Sequence, residues 1–222
     1  MKLIVLAGGD SFEVDGFNKL LIKHPFTKKT IIEQYSEFFE TSEIEIVVGY
    51  RALEIMNTFP MYKYHYNQKW QHTGNSYSLA LALNREPCYV MSSDFFLAEG
   101  VKNKIEAYEN CIIGKRTENR LPNSINGSVD EKGNAAKIYR GKCENLDPAL
   151  PGIFKISDPE ILTEWKSRCL DSPRLFCAEN LPIERFDIPV LEIMDNELIE
   201  INFPQDFIRL LDEFRSDEKI NE

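Results

Sequence analysis

The sequence predicts one α/β domain over residues 1–222, built on a mixed, mostly parallel sheet with a small antiparallel insertion. Three observations carry this. Short apolar runs of β-formers at 2–6 (KLIVL), 43–49 (EIEIVVG) and 87–91 (PCYVM) read as buried parallel strands. They alternate with stretches of helical periodicity, as βαβ units do. After about residue 110 the rhythm changes, and 125–129 and 135–139, joined by 130–134, read as an antiparallel hairpin.

The elements follow in order. The first strand ends in Ala7-Gly8-Gly9, and Asn18-Lys19-Leu20-Leu21 comes shortly after. Thr30 begins a capping box with Glu33, and Ile31, Ile32, Tyr35, Phe38 and Phe39 form one helical stripe. Residues 51–58 read as a short helix and 62–66 as extended. Asn75 is placed to cap a helix whose buried side is Leu79, Ala80 and Leu83. The third strand runs straight into Ser92-Ser93-Asp94. Further on, 150–154 is extended, 158–168 helical, and 188–193 and 198–201 are two late strands. Phe203, Phe207, Leu210, Leu211 and Phe214 close the chain at helical spacing. No repeat or linker interrupts it.

Composition narrows the function. At 43% hydrophobic and 28% charged, the chain has the balance of an ordinary globular protein. A net charge of −10 argues against a nucleic-acid backbone or an anionic membrane as the main partner. A small anionic substrate stays open, because local cations override a global field. No apolar run approaches the ~20 residues that span a bilayer, and the five apolar residues after Lys2 are too few for a signal peptide. Cys88, Cys111, Cys143, Cys169 and Cys177 are odd in number and lack a C-x-x-C pair, as suits reduced thiols. The expectation is a cytoplasmic protein, in which the Asn126-Gly127-Ser128 sequon carries no meaning. His24, His65 and His72 are too scattered for a histidine metal site.

Three constellations carry chemistry. Gly8 and Gly9 let backbone N–H groups close around an anion, and Lys19 offers it a point charge. A Gly-Gly turn with a surface lysine is the plainer reading, and spacing alone does not separate the two. Asp94 leaves a buried strand at the same sheet edge, where a carboxylate can hold Mg²⁺ against phosphate oxygens or serve as a simple turn residue. Asn202 or Glu200 would complete that metal site, although Asn202 is also placed as a helix N-cap before Pro204. The loop 67–79 gathers amides, hydroxyls, a glycine and aromatics, a composition suited to reading a nucleobase edge or to a plain capped loop. Lys115-Arg116 beside a strand end could meet an anion but reads better as a solvated charge pair, and Trp165 reads as core.

Taken in order, these pieces resemble the nucleotidyltransferase family with the Rossmann-like, glycosyltransferase-A-like fold. Its opening, L-A-(A/G)-G-x-G-x-R followed by P-K-x-L, matches Leu6-Ala7-Gly8-Gly9-Asp10-Ser11-Phe12-Glu13 and Asn18-Lys19-Leu20-Leu21. Val48-Gly49-Tyr50, Asn75-Ser76-Tyr77-Ser78-Leu79, Tyr89 to Asp94 and Glu200-Ile201-Asn202…Asp206 continue the match, most closely to the phosphocholine cytidylyltransferase branch. The resemblance implies a transferase joining a nucleoside triphosphate, CTP favoured, to a small phosphorylated alcohol, amine or sugar, with release of pyrophosphate. It makes Leu6, Ala7, Gly8, Gly9, Asp10, Ser11, Asn75 and Ser78 the nucleotide contacts, Lys19 the catalytic cation, and Asp94, Asn202 and Glu200 the Mg²⁺ ligands. Residues 1–110 become the nucleotide half and 111–222 the acceptor half. Two departures stand out: Ser11 replaces a glycine, and Phe12 and Glu13 stand where the family has an arginine. Uridylyl or guanylyl transfer onto a sugar 1-phosphate, and a weakened nucleotide-binding regulatory protein, are the alternatives. A choline acceptor would need aromatic walls, for which Trp70, Tyr77, Trp165 and Phe176 are the candidates. Oligomeric state is not legible.

Overall fold

The first strand, β1 (Lys2–Ala7), is buried along its whole length in the interior of the main sheet. The computed structural model describes residues 1–10, 16–41, 43–117, 120–143 and 146–218, with side chains of the last helix described to residue 211. Phe214 therefore lies outside the described side chains. β1 pairs in parallel with β2 (Ile44–Val48) on one side. On the other it pairs in parallel with β4 (Cys88–Ser92), while the edge strand β3 (Lys63–Tyr66) pairs with β2. Alternate residues of β1 point to opposite faces. Leu3, Val5 and Ala7 enter one core with α1 (Ile31–Phe39) and α2 (Ala52–Thr58), and Ile4 and Leu6 enter another with α3 (Asn75–Ala82). The uninterrupted apolar pattern of the strand follows from this two-sided burial.

The second half of the chain extends the same sheet. A short strand β5 (Phe95–Leu97) and helix α4 (Val101–Glu106) follow Asp94, and neither is signalled by periodicity because each is too brief. β6 (Asn110–Lys115), the hairpin β7 (Ile125–Val129) and β8 (Ala135–Arg140), and β9 (Ile153–Ile156) come next. β9 runs antiparallel between β4 and β6, giving the order β10-β6-β9-β4-β1-β2-β3 once β10 (Val190–Ile193) pairs with β6. The sheet is thus mixed and mostly parallel, with small antiparallel ladders beside it, as the sequence predicts. The extended stretch expected at 150–154 becomes strand only from Ile153. Gly152, at φ +93°, turns the chain first, and a Cβ there would sit 2.6 Å from Ser92 Oγ.

α5 (Pro159–Asp171) is capped by Asp158 and buries Trp165 completely against Phe154, the core role expected for it. α1 carries the expected capping box, Thr30 Oγ1 accepting from Glu33 N–H while Glu33 accepts from Thr30 N–H. β11 (Leu198–Glu200) and α6 (Pro204–Glu218) close the chain. Asn126 of the sequon is fully buried, so the folded chain offers no acceptor there. Cys88, Cys111, Cys169 and Cys177 are also buried, and no disulfide forms among the described residues. No described helix is long and apolar enough to cross a membrane.

Candidate active site

Parallel pairing of β1 with β4 places Leu6 opposite Ser92, so the glycine loop and Asp94 leave the sheet at the same edge. Gly8 is packed tightly there. A Cβ on it would lie 3.3 Å from Ser78 Oγ, and one on Gly49 would lie 2.4 Å from the Gly8 carbonyl oxygen, which accepts from Tyr50 N–H. Ser78 is fixed in turn by Asn67, whose Nδ2 donates to Ser78 Oγ at 3.0 Å and to Thr73 Oγ1 at 3.1 Å. Gly9 differs: no described atom would touch a Cβ on it, so the protein's own packing does not require a glycine there. Leu6 and Ala7 are buried strand residues, and Asp10 is exposed. Ser11, Phe12 and Glu13 lie outside the described residues.

Lys19 stands on a short 3-10 turn, Lys19–Leu21, whose N-cap Asn18 accepts from Leu20 N–H and whose Leu20 is buried. Its Nζ donates to Asp94 Oδ2 at 3.4 Å and to Asn202 Oδ1 at 3.2 Å. Residues 75 and 183 positions apart from Lys19 are thereby joined. The β5–β11 ladder does the joining: Glu200 pairs with Phe95, and Ile201 N–H donates to the Asp94 carbonyl at 2.8 Å. Tyr35, which the sequence offered only as core, clamps the Asp94 turn. Its hydroxyl donates to Ser92 O at 3.0 Å and accepts from Phe95 N–H at 3.2 Å.

The cluster is electrostatically unsatisfied. Asp94 Oδ1 is buried and has no hydrogen-bond partner among the described residues. Burial raises the Asp94 carboxyl above its usual range, with Lys19 pulling the other way. Glu200 is pushed up to about 7, by burial first and by the Asp94 charge second. A buried carboxylate oxygen without a partner is costly unless something else meets it. Two carboxylates and an amide supply the oxygen-only donors that a hard cation takes, so the residues present fit Mg²⁺. Among the described residues no group of three or more His, Cys, Asp or Glu side chains offers a metal site. The amide of Asn202 is what completes the candidate set.

Several expectations change. Asn202 does not cap α6. Asp206 reaches back instead, accepting from Asn202 N–H and Phe203 N–H at 2.8 Å each, which leaves the Asn202 side chain turned to Lys19. Gly74, not Asn75, is the N-cap of α3, and Asn75 Oδ1 accepts from Cys177 N–H at 2.7 Å. Lys115 is not a solvated charge. It is buried, and its Nζ donates to Leu198 O and pairs with Asp195, both at 2.8 Å. Arg116 does pair on the surface, with Glu192.

A cavity of about 570 Å³ opens beside Asp94, Glu200 and Asn202 and runs into the second half of the chain, past Lys115, Arg120 and Phe176. Asn75 lines it; Ser78, Gly8, Gly9 and Lys19 do not. Of the four aromatic candidates only Phe176 reaches it, since Trp165 is core and Trp70 packs on Tyr50. Arg120 is the residue that sequence reading missed, and Lys115 is one it took for a solvated charge. The one available signal for Lys115 was a lysine ending an otherwise apolar run.

The architecture is the Rossmann-like α/β fold. No family model and no curated protein matches the sequence, but solved structures share the fold closely. The CTP:phosphocholine cytidylyltransferase of Streptococcus pneumoniae is similar at 20% identity and a TM-score of 0.79, over 96% of this chain and 98% of that one. The inositol-1-phosphate CTP transferase of T. maritima is similar at 16% identity and 0.71, over 92% and 90%. The nucleoside-diphosphate-sugar pyrophosphorylase of Vibrio cholerae RC9 is similar at 12% identity and 0.68, over 94% and 99%.

Proposed function

We propose that the chain is a Mg²⁺-dependent nucleotidyltransferase, CTP-using, that transfers a nucleoside monophosphate to a small phosphorylated alcohol, amine or sugar and releases pyrophosphate. The observation that carries this reading is the Asp94 carboxylate, whose Oδ2 meets Lys19 while its buried Oδ1 has no described partner, beside Asn202 at the sheet edge where β1 ends in two glycines. The likeness of fold to two CTP-using transferases supports it.

In the reaction an oxygen of the acceptor phosphate donates its electron pair to the nucleotide α-phosphorus. A new P–O bond forms as the α–β bridging bond breaks, and that electron pair leaves with pyrophosphate. Residues 1–110 hold the nucleotide, with Leu6 to Ser11 at the phosphates and Asn75 and Ser78 toward the base, and 111–222 hold the acceptor. Gly9 leaves room for close approach of a phosphate. Lys19 carries positive charge that meets the negative charge developing on the phosphoryl oxygens, and its fixed turn lowers the reorganisation needed. Asp94, Glu200 and Asn202 would hold Mg²⁺, which when bound supplies charge to the reacting and departing phosphates. Tyr35 and Asp206 position those ligands through the backbone.

A second reading, uridylyl or guanylyl transfer to a sugar 1-phosphate, is favoured by the amide at position 202, since the resemblance extends to relatives with Asn there. Pyrophosphate release measured with four nucleoside triphosphates against phosphocholine, 2-aminoethylphosphonate and sugar 1-phosphates tests both. CTP-dependent release is expected. Silence across the matrix with nucleotide still bound would overturn catalysis in favour of a nucleotide-binding regulatory role.

A further inference from the structure

The acceptor end of the cavity is built around an arginine that meets no acid among the described residues. Arg120 Nε donates to Thr117 O at 2.9 Å and its Nη1 to Asn126 Oδ1 at 2.6 Å. Both partners are neutral, and no described carboxylate pairs with Arg120. Asn126 is fully buried, and its Nδ2 donates to Gly141 O at 2.9 Å and Ser124 O at 3.2 Å, which fixes its oxygen toward the arginine. The guanidinium is thereby held in one orientation with no described carboxylate to compensate its charge, the condition under which arginine reads a carboxylate or phosphate.

The other charged groups on the wall are already engaged. Asp195 pairs with Lys115, and Arg209 lies near enough to Asp195 to lower its pKa. Asp206 is taken up by two backbone N–H groups, and Asp94 and Glu200 sit at the reacting end. The wall is also poor in free aromatic faces. Its rings are Phe176 and Phe203, and the guanidinium of Arg140 already lies 4.5 Å from the Phe176 ring centre, where a cationic head group would seat. Lys115 and Asn126 both bridge to Ala149, so these two residues lie two strand spacings, about 10 Å, apart.

We propose that Arg120, oriented by Asn126, binds a second anionic group on the acceptor, so that the preferred acceptors are phosphorylated acids rather than phosphorylated amines. This rests on the transferase reading for the role of the first phosphate, but the anion site can be tested apart from it. Binding of 3-phosphoglycerate and glycerol 3-phosphate, which share the phosphate and differ in the carboxylate, is measured by calorimetry on the wild type, Arg120→Gln and Arg120→Lys. Pyrophosphate release with CTP and Mg²⁺ is measured on the same two compounds and phosphocholine.

The carboxylate is expected to tighten binding about tenfold or more, the scale of a charge-assisted hydrogen bond. Arg120→Gln should reduce that ratio below about threefold, and Arg120→Lys should retain part of it. A ratio at or below one in the wild type, or one unchanged in Arg120→Gln, overturns the proposal. If Arg120→Gln does not fold, the wild-type ratio and Arg120→Lys decide. Turnover of phosphocholine with no carboxylate preference leaves the transferase reading standing and removes this one. A carboxylate preference that depends on Arg120, without turnover of any acceptor, does the reverse.

Discussion

Along β1 to β3, Lys2, Glu45, Lys63 and His65 form one charged cluster; at the carboxyl ends of β1 and β4, Lys19, Asp94, Glu200 and Asn202 form another. The first is closed. Glu45 is buried and accepts from Lys63 Nζ at 2.9 Å and Lys2 Nζ at 3.5 Å, with His65 Nε2 at 2.6 Å on its other oxygen. Lys2 also donates to Ala82 O at 3.2 Å. Burial alone would raise the Glu45 carboxyl, but these partners outweigh it and hold it below its usual value. The second cluster is open: Asp94 keeps one oxygen without a described partner, and both acids are raised. Similar residues therefore end in opposite electrostatic states. The closed cluster meets its own charges, and the open one, on the proposed function, would be met by charge that arrives with a ligand.

Breaking the closed cluster should produce the largest effect. Glu45→Ala leaves buried Lys2 with only the exposed Glu86, 3.8 Å away, as its anion and is expected to cost about 3 kcal/mol in chemical denaturation. A loss under about 1 kcal/mol would mean that the cluster is already well solvated. Lys19→Ala, at the open cluster, should behave differently. It is expected to lower pyrophosphate release by on the order of 10²-fold, the scale of removing a preorganised charge stabiliser. Its stability should change far less than that of Glu45→Ala. Unchanged turnover in Lys19→Ala would remove it from the catalytic assignment.

Acid sharpens the contrast at smaller scale. Because Glu45 is held below its usual value when folded, its contribution is full above the ordinary glutamate range of roughly pH 4.3. That contribution is lost as pH falls through the folded value. Glu45→Gln should therefore flatten the loss of stability between about pH 5 and pH 3 relative to wild type. Parallel curves would show that Glu45 does not carry the acid response.

Much of this was legible in the residues. The β1 run, the Thr30–Glu33 capping box, the hairpin and the late strands follow from local period and turn chemistry, and the fold class followed with them. Lys19, Asp94, Glu200 and Asn202 were named from short motifs, and the structure brings them together. The misses share a cause. Asn75 and Asn202 look like caps because capping is local, but Asn75 is turned to Cys177 and Asn202 to Lys19 by partners more than 100 residues away. Tyr35 reads as one more apolar position in a helical stripe, since nothing nearby shows that its hydroxyl will meet the Asp94 turn. Arg120 and Asn126 acquire meaning only when β7 comes alongside Ala149. Lys2 and Glu45 were read as strand residues, although both are charged positions in otherwise apolar strands.

The central claim is that Asp94 is held for a divalent cation that accompanies a nucleoside triphosphate. Calorimetric titration of CTP into wild type and Asp94→Asn, with Mg²⁺ and with EDTA, tests it most directly. Without metal, removing the carboxylate relieves repulsion of the phosphates, so Asp94→Asn should bind CTP more tightly than wild type. With Mg²⁺ the order should reverse, the variant binding about tenfold or more weakly. Wild type and Asp94→Asn keeping the same order in both conditions would contradict the account.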